Sequence, residues 1–456
     1  MQHLTAVERR AAISLALVFA FRMLGLFMLI PVFAIFGNHL AGFSSLWIGL
    51  AIGAYGLTQA VLQIPMGWAS DRFGRKPVMF AGLSLFVLGS VVAALSDSVY
   101  GVTAGRVLQG MGAISGAVLA LASDLTREEQ RPKVMAVIGM TIGLSFAVAM
   151  VAGPAIAAVA GLSGIFWFTA GIALFGILLV WKLVPDASHK VAGAETLATP
   201  GKIASLFSHP QLLRLNLGVL VLHLLLTAIF VVLPPLLEQQ QFLSATHWQL
   251  YLPVILLAFV AMVPLMILAS RKQQEKRYFL LAIGLLIVSF VLILSNQQLW
   301  CIALALLLFF TGFNYLEASM PALLSRIAPA GLKGTAMGTY ASAQFFGAFL
   351  GGLFGGWISG ALGSESLFVF LALIGLIWLV CASSMTVPER SQRLSLPVNV
   401  ANQAAADLLA ARLCHLPGVQ EATVLVAEQR CYLKVGQQNF NLAEAQSLVA
   451  GGSRES

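Results

Sequence analysis

Long uninterrupted runs of apolar residues fill the chain as far as about Val387. A helix needs roughly 20 apolar residues to cross the hydrocarbon core of a bilayer, and only helices or closed barrels can span it. The runs lack the alternation of apolar and polar positions that is typical of barrel strands. The pattern therefore predicts an all-α membrane protein with twelve spans, over residues 12–36, 46–69, 77–95, 99–122, 134–158, 164–184, 212–237, 247–270, 278–295, 299–325, 335–361 and 366–386.

The longest connection between spans, residues 185–211, divides them into two sets of six. Residues 26–31 (LFMLIP) resemble residues 229–234 (IFVVLP), an offset of 234 − 31 = 203. Parallel repeats of this kind, with a substrate site at their interface near the bilayer midplane, are a transporter architecture. We therefore expect two six-helix bundles, at 1–184 and 212–388, joined by a cytoplasmic linker at 185–211.

The composition changes after Pro388. The pattern of residues 389–456 predicts a small soluble domain. The predicted order is a strand at Arg393–Val398, a helix at Asn402–His415, strands at Val419–Ala427 and Cys431–Gly436, and a helix at Leu442–Ala450. A β-α-β-β-α order indicates a ferredoxin-like fold. The segment Leu416–Val419 resembles one in small metal-chaperone domains, but the loop at 397–404, which carries their ligands, has no Cys. We expect this domain to bind a regulator or to self-associate rather than to bind metal.

Composition and charge agree with a membrane protein. Hydrophobic residues make up 59% of the chain and charged residues 10%, with a mean hydropathy of +0.90, whereas soluble chains are about 25% charged. The net charge of +8 does not indicate nucleic-acid binding, because Lys and Arg are concentrated in every second connection between the spans. The connections at 36–45, 96–100, 160–164, 238–246, 295–298 and 363–366 contain neither. This positive-inside pattern predicts that both termini lie in the cytoplasm.

The connection between the second and third spans carries the most specific motif. It places Gly67 and Gly74 around Asp71, with Arg72, Arg75 and Lys76 close by. Gly74 permits a tight turn, and an acid so placed can face a helix N-terminus. The motif resembles the loop of the major facilitator superfamily, Gly-x-x-x-Asp-Arg-x-Gly-Arg-Arg/Lys.

Further motifs resemble the twelve-helix drug:proton antiporter branch of that superfamily. Residues 106–113 (RVLQGMGA) match its fourth-helix Arg-x-x-Gln-Gly pattern. Gly153-Pro154, preceded by Gly139 and Gly143, resembles its antiporter motif, although Ala157-Ala158 replace the glycine pair that follows the proline. With its tail domain, the whole chain resembles the YajR group of bacterial transporters.

The resemblance implies roles for the loop motif. Asp71 would bond the N-terminus of the eleventh span, at Gly334–Thr335, and hold a state open to the outside. Arg75 would pair with Asp124 at the end of the fourth span. Such a bond biases transport because it exists in only one conformer.

Ionisable residues inside spans are costly and usually functional. Arg22, Arg106 and Glu317 are the charged candidates for proton coupling, with Gln109 three residues after Arg106 and Asn314 three residues before Glu317. His223, in the middle of the seventh span, is a further candidate proton site. Arg22 lies near a span end and could instead extend its charge to the interface. Polar residues repeat at helical spacing in the second and eleventh spans, at Tyr55, Gln59, Gln63, Tyr340 and Gln344. They are predicted to line a cavity or, alternatively, to form hydrogen bonds between helices.

These patterns predict a secondary transporter that works by alternating access. The resemblance implies proton-coupled efflux of amphipathic or drug-like solutes across a bacterial inner membrane, with Glu317 as the intramembrane acid that exchanges protons. Two alternatives stay open: a proton symporter or uniporter of a sugar, nucleoside or organic anion, and a membrane sensor that signals through the tail. The chain contains no phosphate-binding loop, metal-ligand cluster or nucleophile motif, so we expect no enzyme activity, cofactor or metal.

Overall fold

The computed structural model describes residues 4–127, 130–186, 209–328, 333–386, 391–398, 400, 403–426, 430–436 and 440–452, and these form two compact units, at 1–386 and 387–456. The helices of the first unit are α1 Ala6–Phe27, α2 Phe33–Phe36, α3 Ser45–Phe73, α4 Arg75–Ala94, α5 Val99–Met111, α6 Ser115–Asp124, α7 Arg131–Lys182, α8 Pro210–Gln239, α9 Trp248–Arg271, α10 Glu275–Ser295, α11 Leu299–Ile327, α12 Lys333–Leu362 and α13 Ser364–Ser383.

Eleven helical segments among the described residues are long and apolar enough to cross a membrane. One of them, α7, is a single helical segment that contains both the predicted fifth and sixth spans. Gly161 interrupts it with φ 63° and ψ −166°, a conformation that glycine adopts without a steric penalty. The chain therefore turns at Gly161 without leaving a loop that separates the two spans.

Two predicted spans have different bounds in the structure. The first, predicted at 12–36, ends as a helix at Phe27, and residues 28–32 form turns before α2. Pro31 lies in this break, where its ring and missing N–H oppose a continuous helix. The fourth span, predicted at 99–122, is divided into α5 and α6 at Gly112, where an added Cβ would lie 2.3 Å from the carbonyl oxygen of Gly82.

The packing between the bundles is closest along α3 and α12. A Cβ added at Gly49 would overlap the carbonyl oxygen of Gly352, and one at Gly53 would lie 2.8 Å from that of Phe349. Small residues spaced four apart allow helix backbones to approach in this way. These contacts lie in the half of α3 that begins at Ser45, which we call the neutral end because its connections carry no Lys or Arg.

At the other end of the unit, α3 and α12 are not in contact through their glycines. We call this the basic end, since it contains the α3–α4 connection with Arg72, Arg75 and Lys76. A Cβ added at Gly67 on α3, or at Gly334 and Gly338 on α12, would have no described heavy atom within 4 Å. Among the described residues, the glycine faces of α3 and α12 are therefore in contact at the neutral end and apart at the basic end.

The second unit contains β1 Ser391–Pro397, α14 Gln403–Cys414, β2 Val419–Leu425, β3 Arg430–Gly436 and α15 Leu442–Gly452. The sheet order is β1-β3-β2, and β3 runs antiparallel to both neighbours. Its core contains Leu409, Leu413, Cys431, Leu433 and Ala445, all buried. A β-α-β-β-α domain of this order is the split βαβ arrangement of ferredoxin-like folds, as predicted.

Candidate functional site

A buried network of polar side chains runs through the first bundle. Arg22 on α1 is 1% exposed, donates to Ser115 Oγ at 2.7 Å and also donates to Gln59 Oε1. Gln59 Nε2 in turn donates to Gln63 Oε1 at 2.7 Å. The i,i+4 spacing of the two glutamines on α3 places them on one helical face, so a single cation on α1 is held by side chains from α3 and α6.

The second buried cation of this bundle, Arg106, belongs to α5. Its guanidinium donates to Gln109 Oε1 at 2.9 Å and, at 3.3 Å, to the carbonyl oxygen of Ala51, while Gln109 Nε2 donates to Ser90 Oγ at 2.8 Å. The ring of Tyr55 lies between the two cations, 5.7 Å from the guanidinium carbon of Arg22 and 5.1 Å from that of Arg106. Cations gain energy over an aromatic face, and more so where water is excluded.

Neither guanidinium has a carboxylate within 4.0 Å among the described residues. Arg22 Nε is also buried and has no hydrogen-bond partner there. Tyr55, Gln59, Gln63 and Tyr340 are all at most 6% exposed. In this conformation they are packed among other side chains, and the cavity-lining role assigned to them stays a prediction.

The second bundle places its ionisable groups on three helices. His223 on α8 and Glu317 on α11 approach with 3.8 Å between Nε2 and Oε2, and their side chains are 13% and 28% exposed. Gln344 on α12 lies against both: its Nε2 is 2.8 Å from His223 Nε2 and donates to Glu317 Oε1 at 3.3 Å. The predicted acid, histidine and glutamine are therefore brought together as one cluster.

Several polar atoms around this cluster have no hydrogen-bond partner among the described residues. They are Asn314 Nδ2, one turn before Glu317 on α11, Tyr340 Oη, one turn before Gln344 on α12, and Glu317 Oε2 itself. A buried polar group without a partner costs about 1–3 kcal/mol. Such groups concentrated around one partly exposed carboxylate can accept or donate hydrogen bonds to a solute or to water, which makes this cluster the better candidate for a binding site.

The loop motif forms a network of ion pairs at the basic end. Arg75 pairs with Asp71 and also contacts Asp124 Oδ2 at 3.1 Å, and Lys76 lies 2.7 Å from Asp186 Oδ1. The structure thus brings Arg75 and Asp124 together. It shows no hydrogen bond from Asp71 to Gly334 or Thr335 among the described residues, because α3 and α12 are separated at this end.

The second bundle contains a counterpart of this pair. Arg326 at the end of α11 pairs with Glu275 at the start of α10, where the first bundle pairs Asp124 at the end of α6 with Arg75 at the start of α4. The two pairs join corresponding helix ends of the two bundles, with the charges exchanged. Sequence reasoning missed this pair, because neither residue lies in a motif and the offset of 203 places Arg75 on Tyr278 rather than on Glu275.

The glycines of the antiporter motif pack at the contact of α7 with other helices. A Cβ at Gly153 would lie 2.5 Å from the carbonyl oxygen of Met28, and one at Gly143 would lie 3.1 Å from the ring of Phe259 on α9. Gly139 has no described neighbour within 4 Å of such a Cβ. Pro154 is buried inside α7. The motif therefore brings α7 close to the α1–α2 break and, across the bundles, to α9.

Aromatic rings join the bundles beside these glycines. The ring of Phe146 on α7 lies 5.2 Å from that of Phe27, 5.7 Å from that of Phe310 and 6.5 Å from that of Phe230. Aromatic pairs at such distances contribute stabilisation in addition to that from burying their apolar surface. Sequence reasoning assigned no role to the Phe residues and missed this cross-bundle cluster, as it also missed Ser90 and Ser115 among the polar partners.

Two helical bundles with ionisable residues buried near their contact define a membrane transporter. The sequence profile of the Major Facilitator Superfamily matches residues 15–352 and 274–412. The chain belongs to this superfamily and is a transporter rather than an enzyme.

Relatives and solved structures agree with this assignment. The Inner membrane transport protein YajR of Escherichia coli K12 is 43% identical over 449 residues, which are 98% of each chain. An uncharacterized transporter of Buchnera aphidicola is 35% identical over 347 residues, covering 76% of this chain and 89% of its own. The crystal structure of a bacterial homologue of the human lysosomal transporter Spinster, inward-facing and occupied, superposes with a TM-score of 0.68 at 13% identity, over 84% of this chain and 96% of that one.

Proposed function

We propose that this transporter is a proton-coupled antiporter of a bacterial inner membrane that exports small amphipathic or drug-like solutes. The observation that carries the proposal is the contact of Glu317 with His223 and Gln344, which places two proton-binding side chains from different helices beside a partly exposed region of the second bundle. Intramembrane ionisable groups are costly enough that they are usually retained for function. The name of the E. coli relative supports the inner membrane as the location.

Exchange follows from the charge of Glu317. When ionised, its carboxylate attracts a cationic or amphipathic solute; when protonated, it is neutral and releases the solute. The partial antiporter motif at Gly153-Pro154 supports exchange over cotransport. The tail domain is proposed to bind a regulator or to self-associate.

The packing of α3 on α12 supports alternating access in this exchange. If the basic connections face the cytoplasm, as the Lys and Arg distribution predicts, the separated end of the bundles is the cytoplasmic end. The conformation is then inward-open, the state in which an exporter loads solute from the cell. The loop Asp71, bonded to Arg75 here, would move to the N-terminus of α12 when the basic end closes.

Proton antiport can be tested in everted membrane vesicles that are acidified by respiration. Added solutes are screened for release of the proton gradient, reported by dequenching of a pH-sensitive acridine dye. We expect one or more amphipathic cations to release the gradient in vesicles with the wild-type protein and none to do so with Glu317→Gln. If solutes instead deepen the acidification as they enter, protons enter with them and the protein is a symporter.

A second candidate function is transport of organic anions, and one observation favours it. Arg22 and Arg106 have no carboxylate partner among the described residues, and Arg22 Nε has no hydrogen-bond partner there. A solute carboxylate could compensate these charges in another conformation. Matched pairs of carboxylates and amides in the same vesicle assay separate the candidates, since an anion transporter responds only to the carboxylates and loses that response in Arg22→Gln.

A further inference from the structure

The connection between α9 and α10 forms a pocket at the basic end of the second bundle. The cavity has a volume of about 450 Å³ and is lined by Lys272, Gln274, Arg277, Tyr278 and Leu281. Pockets of this size are typical of small-molecule sites. The lining combines two cations with a phenol and, on the α10 side, an apolar side chain. A ligand that matches this lining carries both negative charge and an apolar part.

The two cations of this pocket have no counter-charge in the described part of the chain. Neither Lys272 nor Arg277 has a carboxylate within 4.0 Å there. Glu275, the acid of the same connection, is paired with Arg326 of α11. Gln274, the N-cap residue of α10, makes no side-chain capping hydrogen bond. The partial positive charge of the helix N-terminus therefore adds to that of the two cations.

The corresponding connection of the first bundle is neutralised by the protein itself. Between α3 and α4, Arg75 pairs with Asp71 and Asp124, and Lys76 pairs with Asp186. The positive-inside rule accounts for Lys and Arg in both connections. It does not account for the carboxylate partners being present around one connection and missing around the other. The connection of the second bundle is therefore the one that can bind an external anion.

An apolar surface continues from the pocket along α10. Leu281, Val288 and Val291 are 47%, 46% and 51% exposed, and steps of seven and three residues keep them on one helical face. Because α10 is long and apolar enough to cross the membrane, this face contacts lipid chains. Tyr278, half-buried in the first turn of α10, lies between the cations and this face, at the membrane surface where tyrosine is enriched.

We propose that this pocket binds the headgroup of an anionic phospholipid, with the phosphate between Lys272 and Arg277 and an acyl chain along the exposed face of α10. The phosphate oxygens would accept hydrogen bonds from the ammonium and guanidinium groups, and the acyl chain would cover Leu281 and Val288. Basic pockets beside membrane spans are suited to such headgroups. A soluble phosphate compound would use the cations and leave the apolar face uncovered, so the lipid matches both parts of the site.

This lipid site is separate from the proposed exchange of protons and solute. The pocket is formed by the connection between α9 and α10, whereas His223, Glu317 and Gln344 belong to α8, α11 and α12. The lipid assignment therefore stands or falls without reference to the vesicle assay.

The proposal is tested by native mass spectrometry of the purified, delipidated full-length protein in detergent. The protein is titrated with phosphatidylglycerol and, in parallel, with phosphatidylcholine of the same acyl chains, whose headgroup has no net charge. We expect the first phosphatidylglycerol to bind about tenfold more tightly than the first phosphatidylcholine. A variant with Lys272→Gln and Arg277→Gln should lose most of this preference. The matched control, with Arg271→Gln and Lys276→Gln, loses the same charge outside the pocket lining and should keep it.

Two results would overturn the proposal. One is equal affinity of the wild type for the two lipids, a comparison that needs no variant and so stays decisive if either double variant fails to fold. The other is an equal loss of preference in both double variants, which would show that the overall charge of this connection, and not the pocket, attracts the lipid.

A soluble ligand is distinguished by adding inorganic phosphate or glycerol phosphate to the same titration. We expect neither compound to displace phosphatidylglycerol from the wild type, because neither covers the apolar face of α10. Displacement by either compound, absent from the variant with Lys272→Gln and Arg277→Gln, would assign the pocket to a soluble phosphate compound and contradict the lipid assignment.

Discussion

Individual glycines set how closely the two bundles approach at the neutral end. Gly49 and Gly53 on α3 lie against the backbone of α12 at Gly352 and Phe349, where a side chain of any size would meet carbonyl oxygens. A carbonyl oxygen of a helix cannot rotate away as a flexible side chain can. These positions therefore control the stability of the closed neutral end more than they control folding within one bundle.

We predict that Gly49→Ala shifts the protein away from the conformation described here. The added methyl group would overlap the backbone of Gly352, so α3 and α12 must separate. Spin labels at positions 43 and 362, in a cysteine-free protein, should report longer distances by double electron–electron resonance. Gly284→Ala is the control, because a Cβ there would have no described neighbour within 4 Å. Equal distance distributions in Gly49→Ala and the wild type would contradict the role given to these glycines.

The sequence predicted local pairs of residues better than distant ones. Arg106 and Gln109 are three residues apart on one helix, so helical geometry alone brings them together, and they are hydrogen-bonded. The contact of Arg22 with Ser115 joins residues 93 positions apart and depends on how three helices pack. Hydrophobic periodicity contains no such information, and the partners of Arg22 could not be predicted.

At the scale of helices and strands, apolar length predicted which segments are helical, and local backbone chemistry moved their ends. The missing N–H of Pro31 ends α1 at Phe27, and Gly161 allows the turn inside α7. Predicted tail elements differ from those observed by few residues, because each is bounded by polar turn sequences. The close contact at Gly112 that separates α5 from α6 is a tertiary feature, which the sequence of that segment alone does not show.

The pair of α10 and α11 gives a prediction at this scale. Glu275→Arg should lower the melting temperature of the purified protein, because it places a second cation beside Arg326, whose side chain is 26% exposed. Adding Arg326→Glu restores opposite charges and should recover most of the loss. Arg277→Glu, in the same first turn of α10, is the control for a change of charge alone. A double variant no more stable than Glu275→Arg would show that the pair contributes no coupling energy.

The two thiols of the tail domain provide a second prediction. Cys414 is exposed at the end of α14, whereas Cys431 on β3 is buried, and burial raises the pKa of its thiol to about 11. The thiolate is the reactive form, so at neutral pH Cys431 should react with a maleimide about 100-fold more slowly than Cys414. The rates are measured by mass spectrometry of tryptic peptides after replacing Cys301 and Cys381, and denatured protein serves as the control. Similar rates in the folded protein would contradict the packing of β3.

At the scale of the whole molecule, the two bundles contribute different chemistry. The first contains two buried cations held by amides and hydroxyls, and the second contains a partly exposed acid beside a histidine. Backbone and aromatic contacts at the neutral end hold the bundles together, while at the basic end ion pairs are formed within each bundle. In the proposed exchange, opening one end and closing the other would change the surroundings of Glu317 without breaking either bundle.

The coupling of solute movement to protons at Glu317 is tested most directly in proteoliposomes, with a solute found in the vesicle assay. Two quantities are compared: accumulation of labelled solute driven by an imposed pH gradient, and exchange of labelled for unlabelled solute without a gradient. For Glu317→Gln we predict at least a tenfold loss of gradient-driven accumulation, equivalent to about 1.4 kcal/mol, with exchange retained. Accumulation equal to that of the wild type at every pH would contradict proton coupling at this carboxylate.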